Sequence, residues 1–127
     1  MPLFATIAGL CYGAILGSFL GCSWYRIPRK ISLSEDRSFC PSCQTPISWY
    51  NNIPIASWLL LRGKSSCCQN KLSPSYLILE VTGALFLGAI GYFAGLVPML
   101  VVLGAAIIVT VIISAVTRRS VDRDGEQ

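Results

Sequence analysis

Four cysteines in the middle of this 127-residue chain have the type and spacing for metal chemistry: Cys40 and Cys43, separated by Pro41-Ser42, and the adjacent pair Cys67-Cys68. Two thiols separated by two residues can turn toward one point, as in half of a zinc knuckle. An adjacent pair is unusual. Neighbouring side chains tend to point apart, so two consecutive thiolates on one zinc need a kinked backbone. Three alternatives stay open: a site on Cys40, Cys43, Cys67 and Cys68, a three-thiolate site completed by water or a carboxylate, or no metal. A loop of about fifty residues has a marginal core of its own, and structural zinc supplies roughly 10–16 kcal/mol in small domains. The role expected of a metal here is therefore structural zinc. The chain has no histidine, which excludes imidazole ligands, a histidine general base and a Ser-His-Asp triad.

The carboxylates are Glu35, Asp36, Glu80, Asp122, Asp124 and Glu126. An aspartic protease needs two carboxyls facing each other and sharing one proton. Glu35 and Asp36 are adjacent in a polar loop, and the last three fall in a segment that reads as a disordered tail. Glu80 stands alone near an apolar stretch, where a charge is costly and often functional. It either pairs with Arg26, Arg62 or Lys64, snorkels outward, or has a functional role.

The elements that must hold these residues are membrane helices. Apolar residues make up 54% of the chain and charged residues 13%, against about 45–50% and about 25% in soluble domains. The net charge of +4 is weak evidence for nucleic acid, and no nucleic-acid partner is expected. Residues 1–25 carry no charged side chain and are long enough for a first transmembrane helix. They lack the basic start of a cleaved signal peptide. Ala5, Gly9, Gly13, Gly17 and Gly21 recur every fourth residue, a flat stripe on which another helix can pack closely. Cys11 and Cys22 share a face and read as small apolar residues.

Residues 26–75 form a polar, turn-rich loop domain containing the cysteines. Asn51-Asn52-Ile53-Pro54 opens a short helix with Pro54 as its first residue, and Gly63 stops it. Trp49, Tyr50 and Trp58 read as interfacial anchors. Residues 76–117 are too long for one crossing and break at Gly95-Leu96-Val97-Pro98, giving a hairpin of two spans. Ten large aliphatic residues in the last span contribute roughly −3 to −6 kcal/mol to insertion. Residues 118–127 form a tail. All ten basic residues then fall on one side, which the positive-inside rule makes cytoplasmic, with the N-terminus outside. The expected architecture is an all-α integral membrane protein with three transmembrane helices and a small cytoplasmic zinc-knuckle-like loop domain.

Several stretches together resemble the bacterial prepilin peptidases: Gly17-Ser18-Phe19-Leu20 with Tyr25-Arg26-Ile27-Pro28, Phe39-Cys40-Pro41-Ser42-Cys43, Trp49-Tyr50-Asn51-Asn52-Ile53-Pro54, Ser57-Trp58-Leu59-Leu60-Leu61-Arg62-Gly63-Lys64, and Ser73-Pro74-Ser75-Tyr76 with Glu80 and Thr82-Gly83. The resemblance covers about residues 9 to 95. It implies a bacterial inner-membrane enzyme that cleaves prepilin or pseudopilin leaders for type IV pili and type II secretion, then methylates the new N-terminal amine with S-adenosylmethionine. It ties methylation to the positions of Gly63 and Lys64, with Glu80 a further possible site residue. A helix stop and a topology charge account for Gly63 and Lys64 equally well.

This sequence departs from the family pattern in two places. The second C-x-x-C would start at position 65, which is Ser65. The family's G-x-G-D aspartate motif is absent, and Ser114 takes the place of its other aspartate. No autonomous peptidase activity is expected. Three roles follow: a truncated, methylation-associated half working with a separate peptidase half that docks on the glycine stripe; a non-catalytic adapter or regulator binding prepilin or peptidase; or a remnant without function.

Overall fold

The computed structural model describes residues 2–31, 33 and 37–125, with side chains described as far as residue 119. Among the described residues, four α-helices organise the chain: α1 (Pro2–Arg26), the short α2 (Ala56–Leu60), α3 (Pro74–Phe93) and α4 (Leu96–Gly125). Single 3-10 turns lie at Ile27–Arg29 and Trp49–Asn52. Among the described residues there is no strand, only two isolated bridges, Phe39 with Pro46 and Lys64 with Lys71. Three segments of the described residues are long and apolar enough to cross a membrane: Pro2–Arg29, Pro74–Phe93 and Leu96–Arg119.

α1 and α3 pack antiparallel, and the glycine stripe sets their distance. A Cβ at Gly9 would overlap the Leu87 carbonyl, one at Gly13 the Gly83 carbonyl, and one at Gly17 the Leu79 carbonyl. α3 answers with small residues of its own. A Cβ at Gly83 would overlap the Gly13 carbonyl, and one at Gly91 the Ala5 carbonyl. Such backbone approach is how helices gain dispersion contact where lipid offers no hydrophobic drive. At Gly21 the neighbour is the Tyr76 ring, 3.0 Å from a built Cβ, so the contact loosens toward the loop end. The expectation that this stripe docks a separate peptidase half is corrected by its occupant, because α3 of the same chain fills it.

α1 ends where Pro28 removes a backbone donor. The chain turns through Lys30 in the left-handed region, with Ile31 N–H on the Arg26 carbonyl at 3.1 Å. α3 starts at Pro74, behind Ser73, whose hydroxyl accepts from the Ser75 N–H. Pro at the first helical position and serine at the cap are the favoured choices there. Gly95, at φ +87°, turns α3 into α4. The break is Ala94 and Gly95 alone, since Leu96, Val97 and Pro98 already form the first turn of α4. Pro2 and Phe4 lie beside this turn, so the N-terminus and the α3–α4 turn share one end and the cysteine loop occupies the other.

α4 runs on through the segment read as a tail, because no glycine or proline interrupts residues 105–124. At about 1.5 Å per residue, its thirty residues span about 45 Å, beyond the roughly 30 Å of hydrocarbon. Met99 and Leu103 are its buried apolar contacts, whereas Val101, Ile108 and Val111 are exposed, as lipid-facing residues would be.

Candidate metal centre and the pocket beside it

The loop folds as two copies of one turn. In the first, Cys40 N–H donates to the Thr45 carbonyl at 2.9 Å and Gln44 N–H to the Cys40 carbonyl at 2.9 Å, with Gln44 at φ 59°. In the second, Ser65 N–H donates to the Asn70 carbonyl at 2.9 Å and Gln69 N–H to the Ser65 carbonyl at 3.0 Å, with Gln69 at φ 58°. Residue by residue, Ser65 corresponds to Cys40 and Cys68 to Cys43. Cys67 corresponds to Ser42, which holds no sulfur.

This repeat shows how an adjacent pair serves one cluster. The tight turn supplies the kink, and the Cys67 Sγ lies 2.9 Å from that of Cys43, while Cys40 and Cys68 approach to 3.7 Å. All four Sγ atoms lie within 4.8 Å of one another. A tetrahedron with Zn–S bonds of about 2.3 Å has edges of about 3.8 Å. Shifts of about an ångström in rotatable side chains would seat zinc on Cys40, Cys43, Cys67 and Cys68, so the donor set fits the metal. The Ser65 hydroxyl has not left the cluster. It sits 3.3 Å from the Cys40 sulfur, 2.9 Å from Cys67 and 3.5 Å from Cys68.

Electrostatics divide the thiols. Burial by itself would raise Cys40, but hydrogen bonds from Ser65 and from the Cys43 and Ser42 backbone outweigh it and bring its pKa to about 6. Cys43 is also lowered, by Cys67 first and then by Thr45. Cys67 is pushed up to about 11, chiefly because Cys43 takes the charge that the two share. One member of each facing pair is thus readily ionised, the form that binds metal.

Beside this cluster, between the loop and the ends of α1 and α3, lies a pocket of about 130 Å³. Ser18 and Cys22 of α1, Tyr76 and Glu80 of α3, and Phe39, Ile53, Trp58, Leu61 and Leu72 of the loop contribute to its lining. Two charged residues tie the loop down here. Arg26, only 3% exposed, donates to the Arg37 carbonyl at 2.9 Å and lies over the Phe39 ring at 4.9 Å. Glu80, only 7% exposed, accepts the Ile55 N–H at 2.6 Å. Among the described residues, Glu80 forms no ion pair with Arg26, Arg62 or Lys64. Its partner is backbone, and the backbone it holds is unusual: Ile55 sits at φ 62°, a costly region for a β-branched residue. The α2 helix therefore begins after Ile55, two residues later than its proline suggests.

Gly63 is buried at φ +68°, and a Cβ there would meet Trp58 Cζ2 at 2.7 Å. Its N–H donates to the Trp58 carbonyl at 2.8 Å. Gly63 thus backs the indole that forms the pocket wall. Lys64 is exposed, its backbone paired with Lys71. Of the three residues tied to methylation, the structure brings Glu80 into the pocket, sets Gly63 behind Trp58 and leaves Lys64 on the surface. Trp58 is no interfacial anchor, whereas Trp49, 79% exposed, keeps the position of one. Cys11 is exposed on α1 while Cys22 reaches the pocket. The Ser114 hydroxyl bonds back to the Thr110 carbonyl of its own helix at 2.8 Å. Sequence reasoning missed the pocket, because its walls come from segments far apart along the chain, from Ser18 to Glu80.

Three apolar spans capped by a twin-turn thiolate cluster define a helical membrane protein with a knuckle domain at one end of its bundle. A family model described as "Bacterial Peptidase A24 N-terminal domain" matches residues 11–93, and the chain belongs to this family. Among curated relatives named "Prepilin leader peptidase/N-methyltransferase", that of Vibrio cholerae is 47% identical over 76 residues, 54% of this chain and 30% of that protein. The Klebsiella pneumoniae relative is 37% identical over 117 residues, 87% of this chain and 48% of that protein. The Bacillus subtilis relative is 36% identical over 104 residues, 79% of this chain and 42% of that protein. The chain thus spans less than half the length of each of these relatives. No solved structure matches.

Proposed function

We propose that this chain supplies the N-methyltransferase-associated part of prepilin or pseudopilin processing, without cleaving the leader itself. The observation that carries this reading is the pocket formed within the shared domain, in which Glu80 is the lone carboxylate among the described residues. One buried carboxylate does not make an aspartic dyad, but it suits a site that receives an amine. Zinc on Cys40, Cys43, Cys67 and Cys68 would hold the two turns together as a structural ion. Charge placement supports a cytoplasmic loop and C-terminus with the N-terminus outside.

The methyl donor expected from the family is S-adenosylmethionine. A cavity of about 130 Å³ is smaller than the roughly 300–1,000 Å³ of sites that enclose drug-sized ligands, and the chain has no glycine-rich nucleotide loop. The pocket suits the acceptor side of the reaction, and no step is assigned to the donor. The test is a radiolabelled methyl-transfer assay in membranes, with cleaved pilin as acceptor and uncleaved prepilin as the cleavage substrate. The expected result is transfer without cleavage, in the presence or absence of a peptidase partner. Cleavage by the purified chain, or no transfer under any condition, would overturn the proposal. Co-purification with a peptidase without transfer would favour an adapter.

A further inference from the structure

We infer that the pocket under Trp58 is a subsite for the free N-terminal residue of a polypeptide, with the terminal ammonium on Glu80 and the first side chain among Ile53, Leu61, Leu72 and Phe39. This rests on the methyltransferase reading and names its acceptor contacts. Three observations converge on it. Glu80 is buried, and among the described residues its partner is a single neutral N–H, that of Ile55. A carboxylate offers about four acceptor sites, so capacity remains for a second donor. The cation at the same pocket, Arg26, is engaged with the Arg37 carbonyl and the Phe39 ring. The Nε1 of Trp58 is buried with no acceptor among the described residues. A buried donor left unmade is costly, and the carbonyl of an incoming first residue is a suitable partner.

Size and position exclude the main competitors. A cavity of about 150 Å³ holds one benzene ring, so about 130 Å³ takes one apolar side chain and not a nucleoside. A lipid ethanolamine headgroup carries its ammonium beside a phosphate. Around Glu80 the lining is instead largely apolar, which matches an amine with an apolar group two bonds away.

The experiment uses the full chain in phosphatidylcholine nanodiscs. Binding is measured for a short peptide with a free N-terminus and an apolar first residue, for its N-acetylated form, and for a version beginning with aspartate. The free amine is expected to bind about ten- to a hundredfold tighter than the acetylated peptide, as a charge-assisted hydrogen bond implies. The aspartate version should bind at least about tenfold more weakly than the apolar one. Glu80→Gln keeps an oxygen for the Ile55 N–H and removes only the charge, so it should erase the difference between free and acetylated peptides with zinc content and circular dichroism unchanged. Equal binding of both peptides to the unaltered protein, no binding of the free amine, or competition by phosphatidylethanolamine would each overturn the inference. Selective binding without methyl transfer would uphold the subsite and sink the methyltransferase reading; transfer without selectivity would do the reverse.

Discussion

Three glycines separate two costs that a Cβ can incur, and Gly63→Ala carries both. At φ +68° an alanine pays about 1–2 kcal/mol for the left-handed conformation. Its Cβ also meets Trp58 Cζ2 at 2.7 Å, an overlap of the kind that costs about 1–3 kcal/mol in packed sites. The expected loss is therefore about 2–5 kcal/mol. Gly95, at φ +87° with nothing within 4 Å of a built Cβ, isolates the first cost: Gly95→Ala should lose about 1–2 kcal/mol. Gly104 has an ordinary φ and open space around it, so Gly104→Ala should be neutral or slightly stabilising. The assay is urea unfolding of each variant in the same detergent, followed by helix circular dichroism and by fluorescence of Trp24, Trp49 and Trp58. A Gly63→Ala loss no larger than that of Gly95→Ala would refute the overlap. No loss in either would refute the backbone argument as well. The overlap carries a functional corollary: the displaced indole lines the pocket, so binding of a free-amine peptide should weaken in Gly63→Ala.

Gly13→Ala sets a Cβ against the Gly83 carbonyl, a backbone that cannot swing aside. It should cost at least about 3 kcal/mol, the upper end for overpacking, read as a lowered unfolding midpoint in detergent. Protein purified without added metal should contain one zinc per chain by elemental analysis. Cys67→Ser should weaken zinc binding by about a hundred- to a thousandfold, a quarter of roughly 10–16 kcal/mol, and the added change Ser65→Cys should restore it by completing the second turn's own C-x-x-C. In chelated, reduced protein, Cys40 and Cys43 ionise more easily folded than unfolded. Their stabilisation is complete above the ordinary thiol value of 9.0 and fades as pH falls toward the Cys40 value of about 6. Cys67, shifted the other way to about 11, acts only above 9.0. Urea unfolding between pH 6 and 9 should show loop stability rising with pH, and a flat or falling profile would contradict these assignments.

What could be read from the sequence was whatever depends on pattern along the chain. Charge-free length marked the spans, and four-residue spacing marked the Gly9–Gly21 face, because both are properties of a single helix. What could not be read was the partner across space. The glycine stripe looked like a surface for another protein because the answering residues, Gly83 and Gly91, lie seventy or more residues from the ones they meet, and Leu87 interrupts the four-residue register between them. Glu80 looked like half of an ion pair because side-chain charges are visible in a sequence and a backbone N–H forced outward at Ile55 is not.

The same distinction explains the cysteine cluster. By spacing alone, Cys67-Cys68 is a defective knuckle that has lost its first ligand at Ser65. In three dimensions the turn is intact, since its hydrogen bonds run from Ser65 to Asn70 and from Gln69 to Ser65 and neither needs a sulfur. A turn held by its backbone lets the thiolate move from its first position to its third while the sulfur still reaches the centre. The serine left behind then donates to the thiolates it once would have joined, which is what lowers Cys40. The substitution therefore converts a ligand into a hydrogen-bond donor to ligands. It follows that Ser65→Ala should raise the Cys40 pKa and slow its reaction with thiol reagents near pH 7 while leaving four sulfurs in place. Loss of the cluster itself in that variant would show that Ser65 holds the turn rather than tuning it.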